Sequence, residues 1–385
     1  MPSSTSNSDQ VLIDHVPYRQ LPEHHWVKLI TIALVFTLIA LVIWEIVARQ
    51  MGHETGKYLS RHQTMWAEER SKLDQAKHNH RVLLMGSSRL LYAADLNILE
   101  KELATRPIQL ALPGTGPALF IKDVIDNTDF DGLMIVGVTP FLFNNPGKGE
   151  FGEGALNSYH NQSPSQWTGS KLQDFLSRHL AFVDESFAVF DLIKHYQTLP
   201  YRDGSKKIDA QGWKLGNFYA DRQAEMWPPV EQAGSFDSNQ LTKFWLNFIS
   251  GDPPPPPVVE GMAKGSIEYF RPLIKQLRER GGDMIFVRLP SSGTYLEFET
   301  SSNYKSLAWQ LMLDEIDVPG IDCMDFPELS TELETPEWSH LTRDSQDKWS
   351  ARIVNHLERV YLEKRGTSLR QMIESSDQSI QLVSE

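Results

Sequence analysis

Residues 27–48 read VKLITIALVFTLIALVIWEIVA, with no charged side chain between Leu29 and Trp44. At about 1.5 Å per residue, a helix of this length spans roughly 30 Å, the thickness of bilayer hydrocarbon. A helix is also the one single-segment structure that satisfies its own backbone there. The stretch therefore predicts one transmembrane helix. Trp26 and Trp44 sit near its two ends, where indole rings favour the interface, and Lys28, Glu45 and Arg49 can reach outward. A cleavable signal peptide is the competing reading, but the apolar core is long for one and no small-x-small cleavage site follows. An uncleaved anchor is expected. Arg19 and Lys28 precede it and Arg49, Lys57 and Arg61 follow it, so the positive-inside count by itself slightly favours a cytoplasmic main domain.

Around this anchor, residues 1–26 form a polar stretch expected to be a flexible tail. Residues 49–80 carry Tyr58, Leu59, Trp66 and Leu73 among good helix formers, which predicts a membrane-proximal helical stalk. His78 and His80 close that segment without a Cys or acidic cluster to complete a ligand set, so no metal site is expected. The net charge of −13, with no basic run, argues against nucleic acid as a partner, because phosphate binding needs clustered Lys and Arg. A single cysteine, Cys323, excludes an intrachain disulfide.

Beyond residue 80, short apolar runs alternate with helix-length segments, the pattern of an α/β domain with a parallel sheet. Strands are expected at 82–85, 108–112, 132–138, 284–289 and 321–324. Helices are expected at 90–103, 117–127, 261–280, 302–316 and 344–362, the last with Trp349, Ile353, Leu357 and Val360 at helical spacing. Residues 140–260 interrupt this alternation. They are rich in aromatic residues, among them Phe141, Phe143, Phe151, Tyr159, Trp167, Trp213, Tyr219, Trp227 and Trp245, and they include Pro253 to Pro257, expected as an extended polyproline II spacer. Such rings among Asn, Gln and Asp suit a carbohydrate-binding wall over the sheet's crevice; the other reading is a small satellite core. Residues 365–385 are expected as a polar, frayed tail.

Chemistry concentrates at two places. The strand at 82–85 runs into Gly86-Ser87-Ser88-Arg89, which puts serine at the carboxyl end of a strand, where open α/β sheets bind ligands. Either serine could simply cap the next helix. Far downstream, Glu337 and His340 lie three residues apart, a spacing that can set a carboxylate beside an imidazole, and a serine needs such a base to become nucleophilic. Asp322 and Asp325 are alternative carboxylates. Arg89 and Arg288 could each hold a substrate carboxylate or pair structurally, with Asp95 or Glu297 as partners.

Gly86-Ser87-Ser88 at the start and Glu337-Trp338-Ser339-His340 near the end resemble the first and last blocks of the SGNH, or GDSL-like, hydrolase superfamily, specifically its membrane-tethered GSS-type members associated with envelope polysaccharide O-acetylation. The segment 109–116, Gln-Leu-Ala-Leu-Pro-Gly-Thr-Gly, resembles the second block. The family usually has Asp where Glu337 stands, and its third block supplies an oxyanion-binding Asn that Val136-Gly137-Val138-Thr139-Pro140 lacks; Asn144 or Asn145 would have to substitute. The resemblance implies a three-layer α/β sandwich of SGNH, flavodoxin-like type over residues 81–364, facing the periplasm or exterior from the inner membrane. It implies Ser88 as nucleophile, His340 as base, Glu337 as orienter, and the N–H groups of Ser88 and Gly114 as the oxyanion hole. Arg89, Asn144 and Arg288 are then candidate substrate contacts. The implied activity is an esterase or O-acyltransferase on a glycan, without a cofactor, partnered by the bilayer and a membrane-bound O-acyltransferase. The alternative is a catalytically silent SGNH-like scaffold in a polysaccharide assembly complex.

Overall fold

The computed structural model describes residues 25–51, 53, 62–74, 80–144, 150–190, 214–249 and 251–374. Most of the expected N-terminal tail, His78, Asn145, Trp213 and residues 375–385 lie outside them. The chain divides into two compact units, 1–47 and 48–385.

In the first unit, the helix Trp26–Gln50 begins and runs through an apolar stretch long enough to cross a membrane. Leu34, Phe36 and Leu38 are among its exposed side chains. Thr31 and Thr37 turn their hydroxyls back to the carbonyls of Val27 and Ala33, four residues earlier, which satisfies both groups inside the helix.

The second unit is α/β. Its main sheet comprises β1 (Val82–Met85), β2 (Ile108–Gln109), β3 (Leu133–Val138), β6 (Asp283–Arg288) and β7 (Gly320–Asp322), all parallel, in the order β2-β1-β3-β6-β7. The intervening β4 (Gly216–Phe218) and β5 (Ala224–Met226) form a separate antiparallel hairpin. The central strands β1 and β3, and β6 between its charged ends, are apolar without alternation because both faces are covered. Leu83, Met134, Val136 and Phe286 pack with the helices Ala118–Asn127 and Pro256–Glu279. Val82, Leu84, Ile135 and Val287 pack on the other face with the helices Ser88–Ala93, Leu96–Leu103 and Arg343–Arg365. Gly137 lets the first of these helices settle on β3, since a Cβ there would lie 2.6 Å from Leu90 Cβ. The strand order reverses between β1 and β3, and the crevice beyond their carboxyl ends is where such sheets bind ligands.

Several segments depart from expectation. The expected stalk segment is helical at His62–Ser71, and this helix is docked on the α/β domain. In the helix His62–Ser71, Trp66 is fully buried in the sheet's core and donates to the Leu110 carbonyl, while Arg70 pairs with Asp123 at 2.7 Å. The proline run is extended only at its start: Pro256 and Pro257 open the helix Pro256–Glu279, because the first helical turn needs no backbone N–H. The expected helix at 302–316 carries a π turn at Lys305–Trp309 before the helix Gln310–Ile316. The expected helix at 90–103 breaks at Ala94 and Asp95, whose carboxylate caps the second piece. Nor is the C-terminal segment frayed through residue 374. Leu369, Met372 and Ile373, spaced three and one apart on a helical turn, are buried against the core, and Arg81 donates to the Ile373 carbonyl.

The long insertion is built in pieces. Its helix Glu150–His160 lies on Trp66 and Phe120 through Ala155 and Tyr159. Ala181, Phe187, Trp227, Val230 and Leu241 form a satellite core with Ala48. Phe143 and Trp227 are buried, whereas Trp167 is exposed and Trp245 half-buried.

Candidate active site

At the carboxyl end of β1 the two serines divide the work. Ser87 is the N-cap of the helix Ser88–Ala93, its hydroxyl accepting from the Arg89 N–H at 3.3 Å and sharing a 2.6 Å hydrogen bond with Thr139 at the end of β3. Ser88 is thereby released from capping. It is partly exposed, and its Oγ lies 2.8 Å from His340 Nε2.

The histidine arrives from the opposite end of the chain. After β7, two 3₁₀ turns and a tight turn at Thr335–Trp338 bring Glu337 and His340 to the crevice, and Thr342 then caps the final helix. Trp338 holds φ at 77°, a left-handed conformation that a non-glycine residue adopts only under external constraint. That constraint is the loop before the helix Gly293–Ser301. Ser292 N–H donates to the Trp338 carbonyl at 3.0 Å, and the indole lies over Gly293, where a Cβ would come within 2.5 Å of the ring.

Glu337 is wholly buried and uses both oxygens. Oε1 accepts from His340 Nδ1 at 3.0 Å, from the His340 backbone N–H at 2.5 Å and from Ser339 N–H at 3.3 Å. Oε2 accepts from the indole N–H of Trp245, which sits on the insertion helix Phe236–Ile249. Burial works to raise the Glu337 pKa, but the attraction of His340 and these hydrogen bonds outweigh it and hold the carboxyl below its ordinary value. The imidazole is wedged between Trp245 (5.7 Å between ring centres) and the edge of Tyr92 (5.3 Å). Tyr92 stays a neutral phenol, because burial and then the charge of Glu337 push its pKa upward. The insertion helix is tied down a second time by Ser238, which donates to the Pro336 carbonyl at 2.9 Å.

Of the other candidate residues, Gly114 lies in a turn at φ 69°, just past the point where Leu112 N–H bonds the Gly86 carbonyl, so the second block runs alongside the serine turn. Asn144, Arg89 and Arg288 are placed elsewhere. Asn144 is buried in the core, donating to Ser266 at 3.1 Å and accepting from the Tyr304 hydroxyl; the turn after β3 points it away from the crevice. Arg89 ion-pairs with Glu299 at 2.9 Å, donates to Ser339 Oγ at 3.1 Å and lies over the Tyr295 ring. Arg288 pairs with Asp322 at 2.7 Å and Glu299 at 3.1 Å. Both arginines are paired within the protein, and the partner they share is Glu299. Asp95 is a helix cap and Glu297 is exposed. The buried Arg89–Glu299–Arg288–Asp322 cluster joins the carboxyl ends of β1, β6 and β7 behind the site. It also explains why Asp322 does not orient the histidine, and Asp325 is bound to Lys305. A cavity of about 620 Å³ opens beyond this cluster, between Arg288, Tyr304 and Lys305, and no triad residue lines it.

Two contributors carried no recognisable sequence signal: Glu299, one acid among several in a helix, and Trp245, one ring among many in the insertion. Among the described residues no group of three or more His, Cys, Asp or Glu converges as a metal set. The geometry can do one thing readily: a histidine whose Nδ1 proton is held by a buried carboxylate presents its other nitrogen to a serine hydroxyl, the arrangement that transfers a proton during acyl chemistry. Compared with known proteins, the chain matches no family model, no curated protein and no solved structure.

Proposed function

We propose that this chain is a membrane-anchored serine enzyme of acyl esters, an O-acetyltransferase or esterase with an SGNH-like three-layer domain. The observation that carries the reading is the continuous chain of hydrogen bonds from Ser88 Oγ through His340 to Glu337, 2.8 and 3.0 Å long. Ser88 Oγ attacks the ester carbonyl while His340 Nε2 takes its proton. Glu337 holds the Nδ1 proton in place and stabilises the imidazolium that forms. The carbonyl oxygen, now negative, takes hydrogen bonds from the N–H groups of Ser88 and Gly114. The tetrahedral intermediate collapses, the leaving alcohol receives the proton from His340, and an acyl-serine remains. Water or a sugar hydroxyl, deprotonated by the same histidine, then releases the acyl group as acid or as a new ester.

The acceptor in this reading is a hydroxyl of a cell-envelope or exported polysaccharide, and the domain faces the periplasm or exterior. Support for the setting comes from the apolar helix Trp26–Gln50, and support for a sugar from the half-buried Trp245 beside the triad. A membrane-bound O-acyltransferase is the proposed acyl donor.

One observation favours a silent scaffold instead. Among the described residues no side-chain amide stands at the third block, where Thr139 binds Ser87 and Asn144 is turned into the core. Hydrolysis of p-nitrophenyl acetate by the full chain in detergent separates the two, with Ser88→Ala and His340→Ala as comparisons. An enzyme loses its rate in both variants while keeping its melting temperature within a few degrees. Equal background rates in all three would leave the scaffold.

A further inference from the structure

The helix Pro164–Ser177 is inside out. Asp174 and Ser177 are turned inward, 8% and 5% exposed, while Trp167, Leu172 and Phe175 face outward at 54%, 58% and 61%. A helix that packs on a soluble domain shows the opposite arrangement. At about 3.6 residues per turn, Trp167, Lys171, Phe175 and Arg178 share one stripe and Leu172 flanks it. Rings, a leucine and basic groups are thus presented together, with Lys171 bound at 3.0 Å to Glu68. Phe190, at 78% exposure, adds another ring beyond the following turn.

The position of this helix is fixed by the chain itself. Arg49 donates to the carbonyl of His179 at 3.3 Å, and His179 touches the Phe175 ring at 5.1 Å. Ala48 is fully buried in the satellite core with Ala181 and Phe187. If residues 27–48 span the bilayer, then Ala48 and Arg49 stand at its surface by connectivity alone, and the carboxyl end of the inside-out helix stands there with them.

We propose that the helix Pro164–Ser177 lies in the membrane interface, burying Trp167, Leu172 and Phe175 among lipid headgroups and upper acyl chains, with Arg178 toward anionic lipid. The proposal rests on the membrane-spanning reading of the anchor. It gives the catalytic unit a second attachment to the bilayer, built from the insertion. Interfacial helices bind by this combination of apolar and basic side chains.

The test uses the full chain in vesicles of phosphatidylcholine and phosphatidylglycerol. An environment-sensitive fluorophore is placed on Phe175→Cys, on Leu172→Cys and, as the anchor reference, on Ile39→Cys, with melting curves showing that each variant folds. The expected result is blue-shifted emission at all three positions and quenching by brominated lipid, shallower at 172 and 175 than at 39. Quenching at 39 with labels at 172 and 175 open to an aqueous quencher overturns the proposal and leaves the anchor standing. An aqueous label at 39 removes the anchor reading, and the proposal with it.

Discussion

Replacing Glu337 with Gln removes a charge from the site without changing its shape, and the hydrogen bonds dictate how the new amide must sit. Three N–H groups point at Oε1, from His340 Nδ1, His340 N and Ser339 N, against one at Oε2, from Trp245. The glutamine oxygen therefore takes the Oε1 place, and its NH₂ is left facing the Trp245 N–H, donor to donor. Because Nδ1 keeps its acceptor, the imidazole keeps its tautomer, and what catalysis loses is the attraction between carboxylate and imidazolium. With the contacting atoms 3.0 Å apart, the charge centres lie roughly 4 Å apart, worth about 4 kcal/mol at an effective dielectric of about 20. That corresponds to about a thousandfold in kcat. The donor clash costs stability as well, about 1–3 kcal/mol for a buried group without its partner. Trp245→Phe in the Glu337→Gln background removes the clash, so the double variant should melt higher than Glu337→Gln alone, although Trp245→Phe by itself destabilises. Ester hydrolysis and thermal melts of the four proteins in detergent measure all of this. A Glu337→Gln rate within about tenfold of wild type would refute the electrostatic argument, and a double variant no more stable than Glu337→Gln would refute the assigned amide orientation.

Gly293→Ala combines a positive φ of 49° with a Cβ 2.5 Å from the Trp338 indole, so it should lower stability by about 1–3 kcal/mol and reduce kcat by displacing the turn that presents His340; a melt and an esterase assay check both. Glu337, whose folded pKa lies below its ordinary value of 4.5, contributes stability that is present above that value and is lost as pH falls through the folded pKa; the melting-temperature gap between wild type and Glu337→Gln should therefore be constant near neutrality and shrink in acid. Arg89→Met strands Glu299 opposite a single remaining arginine, and should cost about 3–5 kcal/mol in denaturant titrations.

The parallel sheet was readable because β1, β3 and the Met284–Val287 stretch of β6 are unbroken apolar runs, and burial on both faces makes any other use of such a run costly. The serine turn and the Glu337–His340 spacing were readable because a three-residue separation lets one side chain reach another in almost any tight turn. Arg89 and Arg288 show the limit. Each had a basic group at the end of a strand, but whether it meets substrate or protein depended on Glu299, which only the packing of the helix Gly293–Ser301 brings to both. The docking of the helix His62–Ser71 has a similar cause: Trp66 among Glu, Arg and Lys looks like part of an amphipathic surface helix until its partner, the Leu110 carbonyl at the sheet edge, is in place.

The separation of 252 positions along the chain between Ser88 and His340 also sets a schedule. At about 5–20 residues per second, synthesis leaves the serine waiting roughly 10–50 s before its base has been made. Throughout that interval the hydroxyl has no imidazole to take its proton, and an alcohol without such a base is a poor nucleophile. If the proposed acyl chemistry holds, the chain acquires its nucleophile only when β6, β7 and the loop beyond them have joined the sheet and brought His340 to Ser88.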